Sequence, residues 1–261
     1  MTSFLEVVGC RIAFDDVGSG RTVLFSHGAG ADRHMFDAQV PVLVEAGYRV
    51  ITWDLRGHGD SRPNHEPVTA HRLVADLLEL CRHLGLERPV LVGQSLGGNL
   101  SQEVIRREPQ LAAGLVVIDS AWNTAPLTGL ERTLLKIAAP ALSLVPASRL
   151  PQLMADASAS TPAGREYAVE AFGRMRKADF IEVWRATTAF LDPDPGYRTP
   201  VPLMLLRGDL DRTGTIATSM PRWADAEGVH DVVIPGAAHL ANVDSPNRVS
   251  AELLRFLGGL A

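Results

Sequence analysis

The feature that most constrains this chain is a regular alternation of short, almost continuously apolar runs with amphipathic helical patterns. The runs are "FLEVV", "RIAFDDV", "TVLFS" (22–26), "RVITWD" (49–54), "RPVLVG" (88–93), "LVVIDS" (115–120), "PLMLLRG" (202–208) and "HDVVIPG" (230–236). The first two flank Gly9 and read as an opening hairpin. Most of the rest are apolar at successive positions, as expected of parallel strands covered on both faces. Between them, "VTAHRLVADLLELCRHLG" (68–85) sets Leu73, Leu77, Leu80 and Leu84 on one helical face, with Thr69 as cap and Gly85 as stop. "LGGNLSQEVIRREP" and "SPNRVSAELLRFLGG" read as further helices. Such alternation predicts an α/β fold with right-handed crossovers.

One interval breaks the rhythm. Residues 122–199 separate the sixth run from the seventh, where a plain connection takes about 2–6 residues. They hold two helical patterns, "GLERTLLKIAAPALSLV" and "TPAGREYAVEAFGRMRKADFIEVWRATTAFL". The expected organisation is a core of residues 1–121 and 200–261 with a helical cap, 122–199, inserted after strand six. Leu130, Leu134, Leu135 and Ile137 would turn an oily face toward the sheet. Trp122 opens the insert directly after a strand end and is expected to form a substrate-binding pocket wall.

The fifth run leads into "LVGQSLGGN" (91–99). A Gly-x-Ser-x-Gly string arises by accident in about one chain in ten of this length, so its surroundings decide its meaning. Strand before and helix after place Ser95 on a sharp turn that lifts its side chain above the sheet. Gly93 and Gly97 let strand and helix pack closely, and the helix start offers free N–H groups and partial positive charge. A serine hydroxyl needs an adjacent base. Of eight histidines, His239 stands just beyond the last strand, at the edge where Ser95 sits. The imidazole in turn needs an acid to hold its tautomer. Asp211 is favoured because a Gly-x-x-Asp spacing carries it past the turn. Asp209 and Asp119 remain alternatives.

In this order and spacing, "HGAG" (27–30), "DLRGHGDS" (54–61), "GQSLGG" (93–98) and the pair "GDLD" and "PGAAH" (208–211 and 235–239) resemble the α/β-hydrolase superfamily over essentially the whole chain. The resemblance implies the α/β-hydrolase fold, a mostly parallel eight-stranded sheet flanked by helices. It also implies an oxyanion hole from the backbone N–H groups of Ala29 and Leu96, no cofactor and no metal. Asp54, Arg56 and His58 are then turn-forming residues, and His27 supports the oxyanion loop. Small bacterial esterases and enol-lactonases are the nearest match in length and motifs. The expected activity is cleavage of a small to medium hydrophobic carboxylic ester or lactone. C–C bond hydrolase, thioesterase and cofactor-free perhydrolase are alternatives, and a non-enzymatic receptor is a remote one. Serine at the elbow disfavours the aspartate-dependent dehalogenases and epoxide hydrolases.

Composition narrows the partners to small molecules. A net charge of −5 leaves no basic footprint for nucleic acid and no polybasic patch for a membrane surface. No apolar stretch reaches the ~18 residues of a span, and "MTSFLEVVGC" lacks a cationic leader and carries Glu6. Cys10 and Cys81 are isolated, the pattern of reduced thiols in a cytoplasmic protein. Two lysines among 25 basic residues suggest a GC-rich bacterial source.

Overall fold

Strand register brings five loops to one edge of a single sheet in the computed structural model of the protein, which describes residues 1–129 and 142–260. The described strands are β1 (Ser3–Val7), β2 (Cys10–Gly18), β3 (Thr22–Ser26), β4 (Arg49–Trp53), β5 (Val90–Gln94), β6 (Gly114–Ile118), β7 (Leu203–Gly208) and β8 (Asp231–Ile234). They lie in the order β1-β2-β4-β3-β5-β6-β7-β8. Gly9, at φ +72°, turns the β1–β2 hairpin, a conformation that glycine adopts without steric cost. β2 runs antiparallel to β4, and every later pairing is parallel. In register, Ser26 faces Gly93, Gln94 faces Ile118, Ile118 faces Leu206 and Gly208 faces Ile234. The carboxyl ends of β3, β5, β6, β7 and β8 therefore share one edge, the place where open α/β sheets build their sites.

The apolar runs divide by period two. Leu24, Ile51, Leu91, Leu115, Val117 and Leu205 point into one apolar cluster, and Val23, Phe25, Val50, Val92, Val116 and Leu206 into the other. Helices α2 (Ala70–His83), α3 (Leu96–Arg107) and, later in the chain, α7 (Ile216–Glu227) contribute to the first. Helices α1 (Gln39–Glu45) and α9 (Pro246–Gly258) contribute to the second. In α2 the predicted cap and stop are both present: Thr69 accepts the Arg72 N–H at 3.2 Å, and Gly85 sits at φ +59°. No helix among the described residues is long and apolar enough to cross a membrane.

Between β6 and β7 lie α4 (Leu150–Ser158), α5 (Pro162–Gly173) and α6 (Lys177–Thr188). The long pattern from Thr161 is thus two helices, parted at Arg174. Arg174 itself keeps a helical backbone (φ −76°, ψ −12°) and pairs with Asp32 and Asp60, and the chain turns extended at Arg176. The Leu130, Leu134, Leu135 and Ile137 stripe lies outside the described residues. Helix α7 carries Pro221 in its interior, and that breaker hides it from periodicity. A short α8 (Ala241–Asp244) precedes α9.

Helix α3 presses on β3 so tightly that a Cβ on Gly97 would land on the Ser26 carbonyl, whereas one on Gly173 meets nothing within 4 Å. Gly97→Ala is expected to cost about 1–3 kcal/mol or more, and Gly173→Ala to be neutral or to stabilise by up to about 1 kcal/mol. Denaturant unfolding of the two variants checks this; equal stabilities would contradict it.

Candidate active site

Ser95 stands between β5 and α3 at φ +49° and ψ −116°, a backbone state that costs a non-glycine residue about 1–3 kcal/mol. Three contacts hold it there. Its N–H donates to the Ile118 carbonyl at 2.9 Å, and its carbonyl accepts the Asn99 N–H at 3.0 Å and the Ser120 hydroxyl at 2.7 Å. Only small neighbours permit the turn. A Cβ on Gly93 would strike the Gly97 carbonyl, and one on Gly98 would come within 2.6 Å of the Ser120 Cβ.

The hydroxyl of Ser95 meets His239 Nε2 at 3.0 Å, and His239 Nδ1 meets Asp211 Oδ2 at 3.0 Å. Asp211 is fully buried, and its Oδ1 accepts the Thr213 N–H at 2.7 Å. Burial pushes its carboxyl up, but the facing His239 and the Thr213 bonds outweigh it and leave the group below the ordinary aspartate value. An ionised Asp211 requires Nδ1–H, which leaves Nε2 as acceptor toward the serine hydroxyl. The base is held from behind as well, since Gln94 Nε2 donates to the His239 carbonyl at 2.7 Å.

The two alternative acids are placed elsewhere. Asp209 Oδ1 accepts the Gly236 N–H at 2.7 Å and ties down a turn. Asp119, also fully buried, accepts the Gly208 N–H at 2.8 Å and the Ala241 N–H at 3.2 Å. Burial and then the neighbouring Asp211 push its carboxyl well above the usual range.

The loop His27–Gly30 lies against the serine: a Cβ on Gly28 would come within 3.2 Å of the Ser95 Cβ. Leu96 is the first residue of α3, and N–H groups in a first helical turn have no acceptor within the helix. His27 Nδ1 donates to the Gly28 carbonyl at 2.8 Å while Nε2 accepts the Leu55 N–H at 2.9 Å, so the ring braces the loop. His58 packs on it at 4.9 Å between centroids. The rest of "DLRGHGDS" is likewise bound to backbone and to partners. Asp54 accepts the N–H groups of Arg33 and Asp60 at 2.7 Å, and Arg56 grips Asp76 at 2.6 Å.

Trp122 is nearly buried, its indole stacked on Trp223 at 6.1 Å and 1° between planes. The pair borders a cavity of about 10 Å³ with Arg106, Tyr197 and Thr199. Sequence reasoning did not single out Phe172 and Phe180. Their rings meet edge to face at 5.9 Å, and a Cβ on Gly30 would run into Phe172. The glycine in "HGAG" was the available signal, since a residue with no side chain often marks a close approach. Among the described residues no cluster of three or more His, Cys, Asp or Glu side chains is suited to a metal ion.

Burial pulls His27 down to about 4 and His58 down to about 3. In the unfolded chain both rings take up protons near pH ~6.5. Their contribution to stability is therefore intact above that pH and is lost as pH falls toward 4 and 3. The melting temperature should drop between pH 6.5 and 4, corresponding to a few kcal/mol, and drop less steeply in His58→Gln. A melting temperature that is level over this range in the native protein would contradict the assignment.

Comparison with known proteins gives the family and the fold. The model of the alpha/beta hydrolase family matches residues 23–252. A non-heme haloperoxidase of Rhodococcus erythropolis is 40% identical over 108 residues, covering 41% of this chain and 38% of the relative. The chain thus spans about two fifths of the length of that curated relative. A thermophilic esterase from Thermogutta terrifontis, solved with malate bound, superimposes with a TM-score of 0.76 and 26% identity over 100% of this chain and 99% of its own. The enol-lactonase of Burkholderia xenovorans shares the fold at a TM-score of 0.84 and 21% identity, over 98% of this chain and 100% of its own. With its serine elbow, its imidazole bonded on both sides and a family match across most of its length, the chain belongs to the alpha/beta hydrolase family.

Proposed function

We propose that the protein is a serine hydrolase that cleaves a small to medium hydrophobic carboxylic ester or lactone through an acyl-enzyme on Ser95. The observation that carries this reading is the unbroken chain from the Ser95 hydroxyl through His239 to Asp211, with both links at 3.0 Å. In this reading His239 Nε2 takes the serine proton as Oγ attacks the acyl carbonyl. The resulting imidazolium is stabilised by Asp211 and returns the proton to the leaving oxygen. Water, activated by the same imidazole, then releases the acid and frees the serine. Negative charge on the carbonyl oxygen is taken up by the N–H groups of Ala29 and Leu96, which cost no reorganisation when the charge forms.

The preference for apolar substrates rests on the cap assigned to residues 122–199. Phe172 and Phe180 bring aromatic surface down on Gly30, next to Ala29, and few charged groups besides Asp211 and His239 would meet an acyl chain there. A second reading, a perhydrolase using the same acyl-enzyme with peroxide in place of water, is favoured by the haloperoxidase likeness over 108 residues.

Ser95→Ala should lower kcat on p-nitrophenyl acetate by about a million-fold while the protein still folds, and a fluorophosphonate should label Ser95 alone in the native protein. Asp211→Asn should cost about ten-thousand-fold. Labelling that survives Ser95→Ala, or an undiminished rate in Asp211→Asn, would exclude this mechanism. No turnover with any ester, lactone, thioester or peroxide would leave a ligand-binding role.

Across p-nitrophenyl esters from C2 to C12, kcat/KM should rise by up to about 1–3 kcal/mol per methylene until the pocket is full, then fall. Phe172→Ala should move that optimum to longer chains. Trp122→Ala should move it too if the indole forms part of the wall. An optimum unmoved in Trp122→Ala, with a lowered melting temperature, would make the Trp122–Trp223 stack scaffold only.

A further inference from the structure

The segment that carries α4, α5 and α6 leaves the sheet at Ala121–Thr124 and comes back at Asp192–Asp194. Both crossings are fastened to helix α3, which begins directly after Ser95. On the way out, the Ala121 carbonyl accepts Asn99 Nδ2 at 3.1 Å and Gln102 Nε2 at 2.9 Å, and the Asn123 N–H donates to Gln102 Oε1 at 2.9 Å. Asn99 and Asn123 also exchange amide bonds. Asn99 Nδ2 donates to Asn123 Oδ1 at 2.6 Å, and Asn123 Nδ2 donates to the Asn99 carbonyl at 2.8 Å. On the way back, the Asp192 N–H donates to the Asn123 carbonyl at 2.9 Å and the Asp194 N–H to the Thr124 carbonyl at 3.0 Å. Arg106 of α3 pairs with Asp192 at 2.8 Å.

Asn99, Gln102 and Asn123 are all buried. A buried amide network fixes one geometry, because any shift leaves polar groups unsatisfied away from water. The Arg106 pair lies at the exposed rim and adds little. Asn123 is the centre of the network. Its N–H and both polar atoms of its side chain bond to α3, and its carbonyl holds the returning chain. Trp122 is thereby clamped between two residues tied to α3, with its indole stacked on Trp223. The bonds of Asn123 end on Asn99, Gln102 and Asp192, and none reaches His239 or Asp211.

We propose that Asn123 is a positioning residue that sets substrate selectivity. It makes the two chain crossings a rigid neck on α3, so that the surface beginning at Trp122 keeps a fixed place relative to Ser95. The effect on selectivity rests on the hydrolase reading, but the rigidity of the neck does not. Loosening the neck displaces the surface that meets an acyl chain and leaves the proton path through His239 and Asp211 as it was. Selectivity and the binding of longer chains should therefore change while the chemical step does not.

Two measurements test this. In hydrogen exchange followed by NMR, the Asp192 and Asp194 amides of the native protein should exchange at least about a hundredfold more slowly than those of an unstructured peptide. Asn123→Ala should speed both by about tenfold. Native exchange at the unstructured rate, or exchange unchanged in Asn123→Ala, overturns the rigid neck whatever the enzyme hydrolyses. Across p-nitrophenyl esters, Asn123→Ala should raise KM for the C6 ester by about tenfold, the contact of roughly one methylene. Its kcat on the acetate should stay within about threefold of native, with the pH profile of kcat/KM unmoved. Gln102→Met removes the acceptor of the Asn123 N–H and should give the same pattern. The double variant should be no worse than either single one, because both act on one neck. Additive effects, or a lowered melting temperature with native KM values, overturn the selectivity role. If Asn123→Ala does not fold, Gln102→Met and the native exchange rates decide. Absence of turnover with every ester in the native protein would refute the hydrolase reading and leave the exchange result standing.

Discussion

The close approach of helix α3 to the sheet is the constraint on which the rest of the site depends. Its Gly97 lies against the carbonyls of Ser26 and His27, and its carbonyl lies where a Gly93 side chain would be. Any side chain there would lift the helix. Lifting it would relax the turn at Ser95, withdraw the first-turn N–H groups and separate the serine from the loop at Gly28. The dry strands β3, β5 and β6, buried at every position, supply the rigid floor that makes so close a contact tolerable. Strain at Ser95 and packing at Gly97 are thus two aspects of one arrangement.

From that floor the site is assembled by side chains that bond to the backbone of neighbouring loops. Gln94 holds the His239 carbonyl, Ser120 holds the Ser95 carbonyl, and Asp209 holds the turn at Gly236. Asp244 does the same between the α4–α5 connection and the turn before α8. One of its oxygens accepts the N–H groups of Ser160 and Ala238 at 2.9 Å, and the other accepts the Thr161 N–H at 3.0 Å. Bonds of this kind set loop position without depending on side-chain packing. A carboxylate sharing several N–H donors gains more from each than a neutral acceptor would.

Much of this was legible in the chain, and the limits are physical. Parallel strands covered on both faces write themselves as apolar runs, and α2 wrote its cap, face and stop at Thr69, the leucines and Gly85. The elbow was legible because a strained turn between strand and helix tolerates few residues. Asp209, Asp211 and Asp119 were harder to separate, since each follows a strand and all three lie between Ser95 and His239 in the chain. Only the direction of each carboxyl distinguishes them, and direction is a tertiary property. Helix α7 was hidden by Pro221, and the break after Arg174 by a helical pattern that continues on both sides of it. Phe172 and Phe180 carry no local signal, because an aromatic that packs on a distant glycine looks like any core residue.

Charge, rather than apolar area alone, connects helix α5 and Arg174 at its end to the loop beside the serine. Arg33 is almost wholly buried, and its guanidinium meets Asp54 at 2.5 Å, Asp15 at 2.7 Å and Asp60 at 3.0 Å. Asp60 passes the link to Arg174, whose other nitrogen pairs with Asp32, and Asp32 also receives the Tyr167 hydroxyl at 3.2 Å. Desolvation makes such a cluster a weak source of net stability. What it supplies is position, because removing Arg33 leaves the buried Asp54 without an ion-pair partner among the described residues. Arg174 and Tyr167 belong to the segment that seats Phe172 on Gly30, and Asp32 stands two residues beyond that glycine. The same ion pairs therefore help hold Phe172 against Gly30. A fold whose core stability comes from two apolar layers thus leaves the seat of Phe172 on Gly30 to a few ion pairs, part buried and part exposed.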